Sequence, residues 1–377
     1  MSGAADGPWF CDANAGAPAL PEVLETFVAV ERRFPANPAS AHAAGRRARG
    51  ELEQARERVA AATGVAASDV IFTSGGTEAA NMAVAGLGDP ALPVLISDVE
   101  HPAVRESAAA RGVVCWDVDE TGAAKVCAPV APVGLVALVH AQSEVGTLQP
   151  VAAAAEVARA AGVPLFVDAA QTLGRAPLGA IFGAGAVVAL SPHKAGGLRG
   201  CGVLAGRDLH AQLRPLMFGG GQELGARPGT PSVALAAASA LAVELAVRDQ
   251  NDRAANMSRN RDAFLRSLLD ADCEHRVLTP LPNSVPNTSM VWFPGVEGRY
   301  LLPALDLAGV QASHGSACST GSPTPPRVLA AMGIDDAAAR ASVRFSFGWS
   351  SDATSCARAG AVVAEVAGRL RKKNSAR

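Results

Sequence analysis

The spacing of apolar and polar positions predicts a chain of alternating helices and short strands. From about Ala41 to Thr63, apolar side chains recur every three or four residues, which indicates an amphipathic helix that ends at Gly64. The charged residues between these positions, Arg56 among them, are assigned to the solvent-facing side of the helix. We therefore expect this helix to pack on a core through one apolar stripe.

Short, continuously apolar runs follow this helix and alternate with helical segments. The runs are at 70–72, 94–96, 113–116, 135–139, 165–167, 186–190 and 203–204. Apolar strands separated by helices are typical of a mostly parallel sheet that is covered on both faces. This part of the chain is therefore predicted to be an α/β unit.

The pattern becomes irregular after Val233. One long helix is predicted from Val233 to about Leu269. The elements predicted after it are a strand at 289–293, a helix at 300–307, a helix with Thr324 as N-cap and Pro325 at its first position, a strand at 342–347 and a helix at 352–370. We expect a large domain over residues 12–252 and a small α+β domain over residues 253–377 together with 1–11.

Composition and charge exclude several classes of protein. Lys and Arg number 33 and Asp and Glu number 35, and this near-balance disfavours binding of nucleic acid or an anionic membrane through bulk charge. The start of the chain lacks the pattern of a secretory signal, and the apolar run 233–243 is too short to cross a bilayer. The 7 cysteines include no CxxC spacing, which disfavours a disulfide framework and a zinc site. A soluble, cytoplasmic protein is the expectation.

Two loops that follow predicted strands could bind a cofactor. Ligands of parallel sheets bind beyond the carboxyl ends of the strands. The loop 73–78 contains Gly75 and Gly76 ahead of a helix, which suits a phosphate group, although a tight turn explains the same pattern. Asp168 ends a buried strand and could hold a protonated ring nitrogen or cap the following turn.

Two further loops carry candidate nucleophiles. Lys194 follows His193 and precedes two glycines, so it is a candidate Schiff-base lysine or a surface lysine on a flexible loop. Cys318 lies in the Gly- and Ser-rich segment 313–321, where a thiol is expected to be accessible and mobile. The other six cysteines are interpreted as core or surface residues, with Cys115 embedded among apolar neighbours.

Taken together, these loops resemble a known family. The motifs, in chain order, are Ser74-Gly-Gly-Thr-Glu78, Glu100-His101, Asp168-Ala-Ala-Gln171, Ser191-Pro-His-Lys194, Gly219-Gly-Gly-Gln-Glu223, Arg227-Pro-Gly-Thr230, Gly315-Ser-Ala-Cys318 and Val343-Arg-Phe-Ser346. From about Asp12 to the last helix, the chain resembles the NifS/IscS-like cysteine desulfurases in the class V aminotransferase group. The resemblance implies the fold-type I architecture of pyridoxal 5'-phosphate (PLP) enzymes and a homodimer.

The resemblance also implies a role for each matching residue. Lys194 is expected to hold PLP, Asp168 to pair with its ring nitrogen, and Gln171 to donate to its ring oxygen. His101 is similar to the histidine that stacks on the ring and assists proton transfer. The residues matching the phosphate site are Gly76, Thr77, Ser191, His193 and, from the neighbouring subunit, Thr230. The residues expected at the substrate are Arg344 as the carboxylate clamp, Asn14, Ser143 and the persulfide-forming Cys318.

The implied activity converts L-cysteine to L-alanine and leaves the sulfur on Cys318 for an acceptor protein. The sequence does not name that acceptor, and it predicts no metal and no direct contact with nucleic acid. Alternatives are a related PLP-dependent C–S lyase, selenocysteine lyase or aminotransferase, and a non-catalytic paralogue that acts as a binding subunit. An aminotransferase has no need of a thiol at Cys318, so this residue favours the desulfurase.

Three positions depart from the pattern of the family. Gln142-Ser143 stands where two asparagines are usual, so water, the Gln142 side chain or a different substrate fills the gap left by Ser143. Gly16-Ala17 replaces two threonines at the substrate entrance. His314, four residues before Cys318, either lowers the pKa of that thiol or is a solvent-exposed histidine.

Overall fold

A seven-stranded sheet is the largest unit in the computed structural model, which describes residues 8–315 and 325–375. After the short strand β1 (Trp9–Phe10), its strands are β2 (Val70–Thr73), β3 (Val94–Ser97), β4 (Val113–Trp116), β5 (Leu135–Val139), β6 (Leu165–Asp168), β7 (Val187–Leu190) and β8 (Gly202–Ala205). The spatial order is β2-β8-β7-β6-β5-β3-β4, and only β8 runs antiparallel to its neighbours β2 and β7. The prediction of a mostly parallel sheet is confirmed.

Helices cover both faces of this sheet. They are α1 (Pro21–Arg33), α2 (Ala43–Thr63), α3 (Gly76–Gly86), α4 (Pro102–Ala109), α5 (Val151–Ala161), α6 (Gly179–Gly183), α7 (Leu209–Gln212) and α8 (Val233–Arg248). Val136 and Leu138 of β5 pack into the core beneath α2, α5 and α8, whereas Leu135 and Ala137 pack into the core beneath α3 and α4. Successive side chains of a strand point to opposite faces, so a doubly covered strand is apolar at every position.

The rest of the chain forms a second, smaller core. Its elements are α9 (Gln250–Asp270), β9 (Arg276–Val277), β10 (Thr288–Trp292), α10 (Gly298–Leu307), β11 (Val310–Gln311), α11 (Arg327–Ala331), α12 (Asp336–Arg340), β12 (Ser342–Ser346) and α13 (Ala353–Ser375). β10 pairs antiparallel with β9 and β12, and β1 pairs in parallel with β11. Phe264, Phe293, Phe345 and Phe347 are buried at the centre of this core. The domain boundary near residue 252 stays a prediction.

Three helix boundaries differ from the sequence-based predictions. The long helix after Val233 is two helices, because the backbone leaves the helical conformation at Asp249. α11 begins at Arg327, and Thr324 lies outside the described residues. Pro325 is not helical because a residue that precedes another proline is driven out of the α conformation. The last helix continues past Leu370 to Ser375. Within the described ranges, we find no helix that combines the length and apolarity needed to cross a membrane.

The assignment of Arg56 to the solvated side of α2 is wrong. Arg56 is 6% exposed, and its two terminal nitrogens donate to the Glu223 carboxylate at 2.8 and 3.0 Å. The Glu223 carboxylate also accepts from the Phe72 N–H at 2.9 Å. Arg56 is one helical turn after Leu52, so it lies on the buried stripe despite its charge. The ion pair therefore joins α2 and β2 to the segment that contains Glu223.

Removing one member of this buried pair should destabilise the fold. Glu223→Gln leaves the buried Arg56 charge with only the half-exposed carboxylate of Glu53, which lies 3.1 Å from its Nε. We therefore expect the free energy of unfolding in urea to fall by roughly 3 kcal/mol. Glu244→Gln is the matched control, because Glu244 pairs with Arg58 at 3.8 Å on the surface and should matter by less than about 1 kcal/mol. Equal effects of the two substitutions would contradict this account.

Candidate active site

A cavity of about 190 Å³ lies at the carboxyl ends of the central parallel strands. It collects eleven of the residues singled out by the sequence, from segments far apart in the chain. They are Asn14, Gly76, Thr77, His101, Ser143, Asp168, Gln171, Ser191, His193, Lys194 and Arg344. Two predicted site residues are not among them. Thr230 is exposed and interacts with Asn37, and Cys318 lies outside the described residues.

The loop between β2 and α3 forms one end of the cavity. α3 begins at Gly76, and the N–H groups of its first turn have no carbonyl partners within the helix. A Cβ at Gly76 would overlap the hydroxyl of Ser191, so glycine is needed for the two loops to approach this closely. Glu78 braces the loop by accepting from the Ser74 N–H at 2.5 Å and from Arg227 at 2.8 Å. The arrangement suits a phosphate group at the start of α3.

Asp168 and Lys194 come from the ends of neighbouring strands. Asp168 is buried, and its Oδ1 accepts from the Ala170 N–H at 2.9 Å. It therefore caps the following turn and lines the cavity at the same time, so the two interpretations of this residue are compatible. Lys194 closes a short turn after β7, where its N–H donates to the Ser191 carbonyl at 3.0 Å. Lys194 is half-buried at the cavity and is not an exposed surface lysine.

The histidines of the cavity are held neutral. His101 is the N-cap of α4, and its Nδ1 accepts from the Ala103 N–H at 3.1 Å, so the neutral ring carries its proton on Nε2. Burial lowers the pKa of His101, and the negative charge of Asp168 opposes this shift. Burial lowers the pKa of His193 to about 4, assisted by the positive charge of Lys194. Both rings can therefore exchange protons without carrying a permanent charge.

Arg344 lies on β12 with 1% of its surface exposed. Its two terminal nitrogens donate to the Ser143 carbonyl at 2.9 Å and to Asp12 Oδ1 at 2.6 Å. Its Nε is buried and has no hydrogen-bond partner among the described residues. A substrate carboxylate bound here would share the guanidinium with Asp12.

The structure bears on one of the three alternatives for the gap beside Ser143, the Gln142 side chain. Gln142 turns into its own loop, where its Oε1 accepts from the N–H groups of Glu144 and Val145 at 2.6 and 2.8 Å. Gln142 therefore does not line this cavity and does not replace the missing asparagine. The Asn14 amide nitrogen donates instead to the Ser143 carbonyl at 3.0 Å, which fixes the backbone of Ser143.

Two further expectations need correction. His314 is neither a cation nor fully exposed, because burial lowers its pKa and its Nδ1–H donates to the Ser342 carbonyl at 2.9 Å. It therefore carries no charge that would lower the pKa of a neighbouring thiol.

Cys115 is exposed, whereas its apolar neighbours predicted an embedded residue. It lies on β4 at the edge of the sheet, where one side of the strand has no partner.

Comparison with known proteins places the chain in a family. Residues 9–356 match the family described as aminotransferase class-V. The chain belongs to this family. It is 37% identical to a Mycobacterium tuberculosis protein named "IscS-like cysteine desulfurase", over 91% of this chain and 92% of the relative. A solved structure named "NIFS-LIKE PROTEIN" is similar with 30% identity and a TM-score of 0.86, covering 96% of this chain and 99% of that one.

A second solved structure of this kind holds a small ligand. Its description is "SspA in complex with cysteine". The similarity has a TM-score of 0.77 at 27% identity, and it covers 90% of this chain and 98% of that chain. The family assignment and these similarities confirm the predicted fold-type I architecture.

Sequence reasoning gave no role to two buried polar residues of this family member. Arg175 follows Gln171 by four residues, is buried and donates to the Gln171 backbone carbonyl at 3.1 Å. Glu100 precedes His101, and its Oε1 accepts from the Ser97 hydroxyl at 2.5 Å, while its Oε2 is buried without a partner among the described residues. Burial raises the pKa of Glu100 to about 8. Glu100 belongs to the motif Glu100-His101, and Arg175 follows the motif residue Gln171 by four positions. The sequence marked neither residue in any other way.

The raised pKa of Glu100 should make stability depend on pH. The unfolded chain releases this proton near pH 4.5, but the folded protein keeps it to about pH 8, so stability is lost as pH rises between these values. Glu100→Gln imitates the protonated carboxyl and should remove this loss. We expect the unfolding free energy of the wild type, relative to the variant, to fall by up to about 1.4 kcal/mol per pH unit.

Urea unfolding at several pH values between 5 and 8.5 measures this difference. Glu106→Gln, at an exposed position on α4, is the control and should keep the pH profile of the wild type. Parallel profiles for the wild type and Glu100→Gln would show that the carboxyl is ionised in the folded protein.

Proposed function

We propose that this chain is a PLP-dependent cysteine desulfurase. It would convert L-cysteine to L-alanine and hold the sulfur as a persulfide on Cys318 for transfer to an acceptor protein. The observation that carries the proposal is the convergence of Lys194, Asp168, His101 and Arg344 in one cavity. Relatives named cysteine desulfurase and a similar structure described with cysteine support the choice of substrate.

The residues of the cavity fit PLP as the resident cofactor. The glycine loop before α3 approaches Ser191 and offers N–H groups to a phosphate. Asp168 supplies a buried carboxylate for a pyridine nitrogen, and Lys194 supplies an amine for an aldehyde. When bound, PLP supplies an electron sink for the carbon skeleton of an amino acid.

The side chains around that site bind the substrate, transfer protons and attack the substrate sulfur. Arg344 binds the substrate carboxylate through a guanidinium whose position Asp12 and Ser143 fix. Lys194 takes the proton from the substrate Cα, and neutral His101 exchanges a proton through Nε2 while Nδ1 stays bonded to α4. The thiolate of Cys318 attacks the substrate sulfur, and the new S–S bond forms as the bond from sulfur to Cβ breaks. The electron pair of the broken bond stays with the carbon skeleton, which takes up protons to become alanine.

The proposal includes a homodimer in the cytoplasm, with no membrane and no direct contact with nucleic acid. Exposed apolar side chains support the dimer, since monomers rarely leave such patches uncovered. Phe218 is 88% exposed, and Leu216, Met217 and Leu224 are also exposed, in the segment that leads to Thr230. In a dimer this segment would bring Thr230 to the neighbouring phosphate site.

The proposal also divides the chain into a large domain, residues 12–252, and a small domain, residues 253–377 together with 1–11. The separate hydrophobic cores support this division.

The activity test compares two cysteines. Purified protein with PLP should release sulfide and alanine in equal amounts from L-cysteine and a reductant. Cys318→Ala should lose at least about 100-fold in both products, because the attacking thiol is missing. Cys115→Ala is the matched control, since Cys115 is an exposed thiol that does not line the cavity and takes no part in a proposed step, so its activity should equal that of the wild type.

Other outcomes of this assay identify the alternatives. Alanine made at the wild-type rate by Cys318→Ala would indicate a C–S lyase. A wild-type protein that binds no PLP would contradict the proposed enzymatic activity and favour a non-catalytic binding subunit.

The dimer has its own test. Phe218→Asp places a charge at the centre of the exposed apolar segment, so we expect the variant to sediment as a monomer and to bind PLP at least 10-fold more weakly. Val130→Asp, at a residue that is 99% exposed in a different loop, should sediment like the wild type. A wild-type monomer, or a dimer that survives Phe218→Asp unchanged, would exclude this interface.

A further inference from the structure

Arg175 stands apart from the other buried arginines. The arginines of the described ranges that are less than a tenth exposed are Arg56, Arg175, Arg261 and Arg344. Three of them pair with a carboxylate, at nitrogen-to-oxygen distances of 2.8, 2.9 and 2.6 Å. Arg175 is 4% exposed, and each hydrogen bond that we find for it in residues 8–315 and 325–375 ends on an uncharged oxygen.

Those hydrogen bonds join three separate segments that line the cavity. One terminal nitrogen of Arg175 donates to the Gln171 carbonyl at 3.1 Å and also to the side-chain oxygen of Gln171. The other donates to the Ala13 carbonyl at 3.1 Å and to the Lys194 carbonyl at 3.2 Å. Arg175 therefore fixes the segment before Asn14, the turn after β6 and the backbone of Lys194 relative to one another.

Arg175 also decides which way the Gln171 amide faces. A guanidinium can only donate, so the amide atom that faces Arg175 must be the oxygen. The amide nitrogen then lies on the other side, where it donates to the Asn14 carbonyl at 2.9 Å. This nitrogen has a second hydrogen, and Gln171 lines the cavity, so the amide can donate to an oxygen atom bound there.

Among the described residues, Arg175 has no carboxylate partner that would balance its charge. Burial lowers its pKa to about 9, and the positive charge of Arg344 acts in the same direction, so Arg175 remains a cation at neutral pH. An unpaired buried charge costs several kcal/mol, which selection tolerates most readily where a ligand supplies the opposite charge. The proposed ligands of the cavity are anionic, since PLP carries a phosphate and an acidic ring oxygen and the substrate carries a carboxylate.

We propose that Arg175 is a positioning residue that holds the Gln171 amide with its N–H toward the ring oxygen of the cofactor and stabilises that oxygen as an anion by its fixed positive charge. This inference rests on the proposed function, because it concerns the group that the cavity would hold. Arg175 acts through Gln171 and through its electric field, since it does not itself line the cavity.

Other charged or titratable groups also face Lys194 and the cofactor site. They are Asp168 at the end of β6, His101 before α4, His193 beside Lys194, Arg199 near His193, Glu144 after β5, Arg344 on β12 and its partner Asp12. All of them are present in both Arg175→Gln and Arg175→Lys, and only the second variant keeps the charge. A shift in the titration of the bound cofactor that occurs in Arg175→Gln but not in Arg175→Lys can therefore be assigned to the charge of Arg175.

The experiment uses PLP itself as the probe. Apo-protein is titrated with PLP to obtain the dissociation constant, and the visible absorbance of bound PLP is then followed against pH. Arg175→Gln should raise the midpoint of this titration by about one pH unit, because a nearby positive charge disfavours protonation of the Lys194 nitrogen that is joined to the cofactor. It should also weaken PLP binding at least 10-fold. Arg175→Lys keeps the charge, so its midpoint should stay near that of the wild type although its affinity falls.

Arg159→Gln, an exposed arginine on α5, is the matched control and should change neither quantity. An unchanged midpoint in Arg175→Gln, or an equal shift in Arg159→Gln, would overturn the proposal. If Arg175→Gln does not fold, the proposal is tested with Arg175→Lys, Gln171→Leu and the variant that combines them. The losses of PLP affinity in the two single variants should not add up in the double variant, because both substitutions disturb the same hydrogen bond. Additive losses would show that Arg175 does not act through Gln171. A wild-type protein without visible absorbance would instead contradict the proposed function.

Discussion

The close approach of two loops is the constraint on which the site depends. β8 returns antiparallel between β7 and β2, so the turn that carries Lys194 lies directly beside the turn that opens α3. The turn that opens α3 also approaches the start of β8: a Cβ at Gly202 would lie 2.5 Å from the backbone of Gly75, and a Cβ at Gly76 would overlap the hydroxyl of Ser191. Larger residues would separate the phosphate cradle from the lysine, and the cavity would lose its shape.

Around this contact the protein uses buried charge sparingly. Arg56 and Arg344 each have a carboxylate partner. Glu100 and His193 are kept neutral, since burial raises the pKa of Glu100 and lowers that of His193. Neutral groups can give and take protons at low cost, whereas a permanent charge in the same place would need a counter-ion. Arg175 is the exception among the buried arginines, and its hydrogen bond to Gln171 connects that exception to the anionic ligands proposed for the cavity.

Sequence patterns succeeded where a local rule governs and failed where a neighbour in space decides. The apolar run of β5 identified a strand buried on both faces, and Gly64 identified the end of α2. Arg56 looked like a solvated residue because its partner Glu223 is 167 residues away. Cys115 looked buried because its neighbours in the chain are apolar, but β4 lies at the sheet edge, which only the order of strands reveals.

The sequence by itself determined the alternation of strands and helices, the loops with candidate catalytic and cofactor-binding residues, and the resemblance to the family. Each of these features depends on short stretches of adjacent residues. The motif residues Asp168 and Lys194 could be named from the chain alone, since they follow apolar strands whose ends must meet. Only the tertiary structure decided that Gln142 turns away from the cavity, that Asp12 shares Arg344 and that Arg175 has no carboxylate partner among the described residues. Those facts depend on which backbone oxygens and carboxylates come within about 3 Å of a side chain, and such distances arise only when separated segments pack together.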